Sequence, residues 1–186
     1  PGFTAAAVLS LALGIGANTA VFQVIDAVRL RVLPVSHPEE LAEVRIARPR
    51  SRAGNFYSRY AEVTNPQWEQ IRARQEVFSG VLAWSPQRFD LTTGGEARRA
   101  QGMYVSGSFF EVLGVPAARG RVFTAADDRP GCDGNGAVIS HAFWQREYGG
   151  DPAVVGRTVQ LNARAVDIIG VTPPAFYGVE VGRSYD

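Results

Sequence analysis

The sequence predicts an α+β protein: one N-terminal transmembrane helix, followed by a mixed α/β domain of split βαβ character that is incomplete at the C-terminus. Three observations lead there. The chain opens on a long apolar run without a basic residue, the rest alternates short strand-like and helix-like segments, and each segment is punctuated by Gly or Pro.

Composition sets the outer limits. A chain of 186 residues is long enough for one core-bearing domain plus a helix, and short for two full domains. With 46% of residues hydrophobic, 20% charged and a formal net charge of +1, a packed fold is expected, and both a disordered chain and a nucleic-acid partner are disfavoured. Cys132 is the only cysteine, which excludes an internal disulfide, a cysteine zinc cluster and a dithiol redox motif. One thiol suits either side of a membrane. The chain starts at Pro1 and reaches its apolar run almost at once, so it reads as a piece of a longer protein.

No Lys or Arg lies between Thr4 and Val28, and from Ala5 to Ala17 only Ser10 interrupts apolar residues and glycine. Twenty-five helical residues would rise roughly 37 Å, enough to cross a hydrocarbon core of about 30 Å with some tilt. Asn18, Gln23 and Asp26 fall in the second half, and an ionised Asp costs about 2.5–3.5 kcal/mol at mid-bilayer, so Asp26 is expected at an interface. At about 100° per residue, Ala12, Gly16, Thr19, Ala20, Gln23 and Ala27 share one stripe, while Leu11, Val21, Ile25 and Val28 lie opposite. Small residues allow close backbone approach in lipid and amides bond across helices, so Ala12, Gly16, Thr19, Ala20 and Gln23 are the expected packing face for partner helices. A cleaved signal peptide would have a shorter apolar region behind a basic start. A buried helix of a soluble protein is the other competing reading. Arg29 and Arg31 follow the run, and the positive-inside rule would place that end in the cytoplasm. The Gly14-Ile-Gly16-Ala-Asn-Thr19 segment has Thr19 where a dinucleotide fingerprint needs its third glycine, and it lacks the preceding strand.

Pro34 and Pro38, with His37 between them, end the helical region, and Leu41 to Ala47 alternates as a strand would. Arg48 to Asn55, with three arginines and no hydrophobic period, reads as a solvated loop; a phosphate or lipid-headgroup site is the sharper alternative. Asn65-Pro66 supplies a helix cap and first-turn proline, and Trp68 and Ile71 lie about one turn apart on the helix that runs towards Arg74. Short strands are expected near Gly80–Trp84 and Arg88–Leu91. A Thr93-Gly94-Gly95-Glu96 turn then leads into a strand from Arg98 to Val105. Ser106 is placed to cap a helix from Gly107 to Leu113 that Gly114 stops. The loop Thr124 to Gly136 collects Asp127, Asp128 and Asp133 but lacks the order and closing Glu of an EF-hand, so a solvated turn is favoured over a calcium site. A strand over Ala137–Ser140, a helix over His141–Tyr148 with Trp144 stacked on Tyr148, and a hairpin from Arg157 to Val171 across Asn162-Ala163 complete the domain.

Little here suggests catalysis. The two histidines, His37 and His141, are far apart in sequence, Ser140 and His141 are adjacent and point in different directions, and no nucleophile elbow, zinc-protease or Walker motif occurs. No catalytic, cofactor-binding or metal-binding residue is nominated, and ATP-driven work would need an ATPase elsewhere.

Several stretches resemble the MacB-like, FtsX-like permeases of bacterial ABC transporters, particularly the large orphan permeases of acidobacteria. They are Pro1-Gly-Phe-Thr4 leading to Ala12-Leu-Gly-Ile-Gly-Ala-Asn-Thr-Ala20-Val-Phe22, Val105-Ser-Gly-Ser-Phe-Phe-Glu-Val-Leu-Gly114 with Arg119-Gly-Arg121 and Phe123, Val138-Ile-Ser-His-Ala-Phe-Trp144, Gly150-Asp-Pro152, Gly156-Arg157, Leu161-Asn162 and Ile169-Gly-Val-Thr-Pro-Pro174. The resemblance implies a non-catalytic permease fragment of the bacterial inner membrane. Residues 1–33 would be the first transmembrane helix and its flanks, with a cytoplasmic N-terminus, and residues 34–186 a partial periplasmic core domain. It further implies a cytoplasmic ATP-binding subunit or domain, a second permease copy forming a homodimer, and a periplasmic or outer-membrane partner, with motion relayed from the ATPase to the periplasm. Asn162-Ala163-Arg164 departs from the pattern, since glycine after Asn makes an easier turn. Two other classes compete: a membrane-anchored sensor or binding domain, and an anchored hydrolase with His141 gathered near Asp127 or Asp128.

Overall fold

Helix α1, Gly2–Ile25, takes up the opening apolar run without a break. The computed structural model describes residues 2–25, 32–47, 62–92, 94–128 and 136–186; Asp26, Arg29, Arg31, Cys132, Asp133 and the arginine loop lie outside them. Beyond α1 the chain makes a short 3₁₀ turn at Pro38–Glu40. The strand expected over Leu41–Ala47 is not formed: Leu41 is extended, but the segment has no ladder partner among the described residues and Val44 is exposed. Alternation specifies a face only where a second strand lies alongside it.

Helix α2, Asn65–Arg74, is capped one residue earlier than expected: Thr64, not Asn65, takes the N-cap position, and its N–H donates to Gln67 Oε1 at 2.9 Å. Trp68 is its buried residue. The two short strands expected on either side of Ser85 are one: β1, Trp84–Asp90, pairs antiparallel with β2, Arg99–Val105, in the register Trp84↔Val105 to Asp90↔Arg99. Pro86 lacks an N–H and sits within β1, which pairs with β2 alone among the described residues, so the missing donor is tolerated. Ser106 prolongs this ladder instead of capping a helix: its N–H donates to Ala83 O at 2.9 Å and its Oγ accepts from Ala83 N at 3.0 Å. Helix α3 therefore starts later than expected and runs Phe109–Leu113, with Ser108 at the N-cap and Gly114 at the C-cap.

The second layer is organised around β6, Arg164–Val171. Its N-terminal half forms a hairpin with β5, Thr158–Leu161, while its C-terminal half lies between β3, Arg119–Gly120, antiparallel, and β4, Ala137–Ile139, parallel. The parallel β4–β6 pair needs a crossover, and α4, His141–Tyr148, lies within it. Ser140 caps α4 by accepting from Phe143 N at 3.1 Å, and Gly149 ends it in the left-handed conformation. The expected Trp144–Tyr148 stack is replaced by two other pairs, His141 edge-on to Trp144 at 5.3 Å and Phe143 with Tyr148 at 6.1 Å.

Apolar side chains collect in two clusters. The first joins Ile139, Phe143, Trp144, Val154, Ile168 and Val171 of the β6 layer to Leu91 and Ala100 at one end of the β1–β2 hairpin. The second is built on α3, with Phe109, Phe110, Leu113, Val115 and Phe176. Polar joints hold the layers together. Asn162 N donates to Asp90 O and Asp90 N to Asn162 Oδ1, at 2.8 and 2.9 Å. Asp186 bonds both Gln101 main-chain groups, and Arg98 pairs with Glu147.

Candidate functional site: the membrane junction

The 24 residues of α1 would rise roughly 36 Å, more than a bilayer core requires. Residues Gly2–Gln23 qualify as a membrane span by length and hydropathy, and none of that stretch is covered by the rest of the chain. The expected packing residues Ala12, Gly16, Thr19, Ala20 and Gln23 are all exposed. Thr19 Oγ1 donates to Ile15 O at 2.8 Å, so its hydroxyl is satisfied inside the helix and does not need a partner in lipid.

Among the described residues, the connection from α1 to the domain is fastened at Val35 and Ser36. Ser36 N donates to Leu113 O at 3.1 Å and Ser36 Oγ to Gly114 O at 3.2 Å, while Val35 packs against the α3 cluster. Helix C-termini leave carbonyls unpaired, and α3 closes its own with Gly114 and Val115 N–H groups bonding back to Glu111 and Phe110 at 3.1 and 3.0 Å. Ser36 satisfies two carbonyls beyond those. Gly114 has φ +64°, and a methyl group on it would overlap Ser36 Oγ.

Nearby acidic groups are occupied by structure. Asp127 receives Arg121 through both carboxylate oxygens at 2.8 Å and the Thr124 N–H at 2.9 Å. These bonds, led by Arg121, hold its carboxyl far below the usual carboxylate range. Asp128 accepts from Arg72 at 2.8 Å, a bond that ties α2 to this turn. At α4, the Ser140 hydroxyl serves as a cap and the His141 ring packs on Trp144. Burial pushes the Tyr148 and Tyr185 hydroxyls up from the ordinary phenol value. His37, Glu39 and Glu40 could bring three ligand atoms together, but all three are exposed, and an exposed acidic group needs no ion. An open groove of about 830 Å³ is lined by residues of both sheets and of α3, among them Phe89, Met103, Phe110, Val159 and Ile169.

Sequence reasoning found the long apolar helix and the glycine at the α3 stop. It missed Ser36 and the Arg72–Asp128 pair, both contacts between distant segments. The Pro34-to-Pro38 frame was the available hint that the connection is fixed.

A membrane-length apolar helix fastened through a proline-framed connection to a mixed α/β domain defines a helix-anchored α/β protein. The chain belongs to the MacB-like periplasmic core domain family, whose model matches residues 4–184. Among solved structures it is similar to the extracellular domain of the noncanonic ABC-type transporter YknZ from Gram-positive bacteria, with 18% identity and a TM-score of 0.50 over 60% of this chain and 57% of that one. It is also similar to the periplasmic region of MacB from Actinobacillus actinomycetemcomitans, with 21% identity and a TM-score of 0.49 over 66% and 59% of the two chains. At such identities a likeness speaks for fold alone. The chain thus spans 57% and 59% of the lengths of these neighbours. No curated protein matches it.

Proposed function

We propose that the chain is part of a transporter permease, with residues 1–33 as its first transmembrane helix and flanks and residues 34–186 as a partial periplasmic core domain. The observation that carries this reading is a single family match running from residue 4 to residue 184, through both helix and domain. Similarity to domains of ABC-type transporters supports the same assignment. The work is mechanical, not catalytic: a cytoplasmic ATP-binding subunit or domain drives closure of a permease homodimer, and the domain relays that motion to a periplasmic or outer-membrane partner. Ala12, Gly16, Thr19, Ala20 and Gln23 then face the permease's other helices. Support for this comes from α1 being apolar and uncovered, since such a surface needs lipid or helices around it.

Membrane sidedness tests the reading. Val181→Cys, placed in a Cys132→Ser background of the full-length permease, provides a thiol at a position 36% exposed. A membrane-impermeant maleimide should label it in cells whose outer membrane alone is permeabilised. Labelling only after lysis would put the domain in the cytoplasm and refute the assignment. The full reading frame gives a second check, expected to encode three further apolar spans towards its C-terminal end.

A further inference from the structure

We infer that residues 33–37 and the C-terminal end of α3 form a latch, so that the connection leaving α1 and the α3 core open and close as one unit. This deepens the permease reading and rests on it only for the side from which force arrives.

The latch is the first attachment of the chain to its domain after α1 among the described residues. Leu33 O accepts from Val35 N at 2.9 Å, which folds the connection back before Ser36 reaches Leu113 and Gly114. Pro34 and Pro38 fix φ at their positions and bracket the three residues between them, so little slack is available there. On the other side, α3 cannot give way alone. Phe109, Phe110 and Leu113 are 1%, 5% and 2% exposed, and Phe110 lies 6.1 Å from Phe176 and 6.3 Å from Phe123. Beyond the short Pro38–Glu40 turn that follows the latch the restraint weakens. Leu41 to Ile46 have no sheet partner among the described residues, and Leu41 and Val44 are exposed. A pull on the chain leaving α1 therefore meets α3 before any later element can absorb it.

Gly114 is the position on which the arrangement turns. Its backbone is left-handed, and a side chain there would displace Ser36 Oγ. Ser36 sits 78 residues away in sequence, so the glycine serves a contact beyond its own helix stop.

The test is hydrogen exchange, read residue by residue on the full-length permease in lipid nanodiscs, for the wild type, Ser36→Ala and Gly114→Ala. In the wild type the Ser36 amide should exchange in the same slow class as the Gly114 and Val115 amides. Ser36→Ala keeps the backbone and should speed exchange at residues 35–36 and 113–115 together, by severalfold. Gly114→Ala should do so by about tenfold or more. A Ser36 amide exchanging at free-peptide rates while α3 stays protected would overturn the latch. So would a Ser36→Ala protein whose α3 loosens while residues 35–36 do not. If Gly114→Ala fails to fold, Ser36→Ala alone decides the matter. None of these outcomes depends on transport, so a failed latch and a failed permease assignment are separable.

Discussion

Replacing Ala163 with glycine should stabilise the domain, although the substitution removes a side chain. Asn162 and Ala163 form the β5–β6 turn with φ +53° and +63°, the pair of left-handed residues that a two-residue hairpin of this type demands. An L-residue with a Cβ gives up roughly 1–2 kcal/mol there. Glycine removes that strain but returns roughly 0.5–1 kcal/mol through the greater freedom of its unfolded chain. The balance is about 0.5–1 kcal/mol in favour of Ala163→Gly. Asn162 is different, because its Oδ1 accepts from Asp90 N at 2.9 Å and ties this turn to the β1–β2 hairpin. Asn162→Gly relieves less strain and loses a hydrogen bond worth about 1 kcal/mol, so it should be neutral to destabilising. Urea unfolding of the chain in detergent, followed by tryptophan fluorescence, reads both. At a slope of about 2 kcal/mol per molar, Ala163→Gly should raise the midpoint by roughly 0.3–0.5 M without changing the slope. A lower midpoint for Ala163→Gly would refute the strain argument, and a clear gain from Asn162→Gly would show that the Asp90 joint contributes nothing.

Three further outcomes follow from other parts of the molecule. Ile168 is fully buried at the centre of the first cluster, so Ile168→Ala should cost about 2–5 kcal/mol in the same unfolding assay, whereas Val181→Ala at the surface should change little. Asp127 has a carboxyl pKa lowered from 3.8 by Arg121 and the Thr124 N–H, so its stabilisation is complete above the unfolded-state value and disappears as pH falls below it towards the folded one; a stability profile from pH 6 to 2 should fall less steeply below pH 4 in Asp127→Asn than in the wild type. Leu13→Lys in α1 places a charge mid-span, at about 2.5–3.5 kcal/mol, and should shift the chain from the carbonate-resistant membrane fraction towards the soluble or aggregated one, while Phe3→Lys near the helix start should not.

What could be read from the sequence divides along the range of the forces involved. Helix α4 was placed at its observed bounds because its aromatic spacing and the Gly149-Gly150 stop are local signals, although Ser140, read as the end of a strand, turned out to be its cap, and the Asn162-Ala163 turn was recognisable from two neighbouring hairpin arms. The Leu41–Ala47 strand failed for the opposite reason: its alternation is local, but a strand exists only by pairing with another segment. Ser106 is a similar case. A Ser before Gly-Ser-Phe-Phe looks like a helix cap, yet its hydroxyl is taken by Ala83, which β1 brings alongside. The acidic loop was read as solvated, and part of it is instead neutralised by Arg121, six residues away, and by Arg72, 56 residues away; only the nearer partner could be anticipated.

The same division explains why the junction, and not any cluster of reactive groups, is the informative region of this domain. Asp127, Asp128 and Asp151 are paired with Arg121, Arg72 and Arg157, so these charges go into holding turns and helices in place. Ser140 spends its hydroxyl on a helix cap, and Trp144 spends its N–H on Asp151 O at 2.9 Å. Polar groups used this way hold turns and helices in place and leave no reactive cluster among the described residues. Among the described residues, α1 is the long apolar helix left uncovered, and its connection to the domain is tied at Ser36 to α3, whose Phe109, Phe110 and Leu113 are buried. Under the proposed relay role, stiffness in the domain and a fixed attachment next to α1 would serve one task, the transfer of displacement from a membrane helix to a periplasmic body. On that proposal, loosening either should abolish coupling in the complete transporter while leaving ATP hydrolysis by the proposed partner intact.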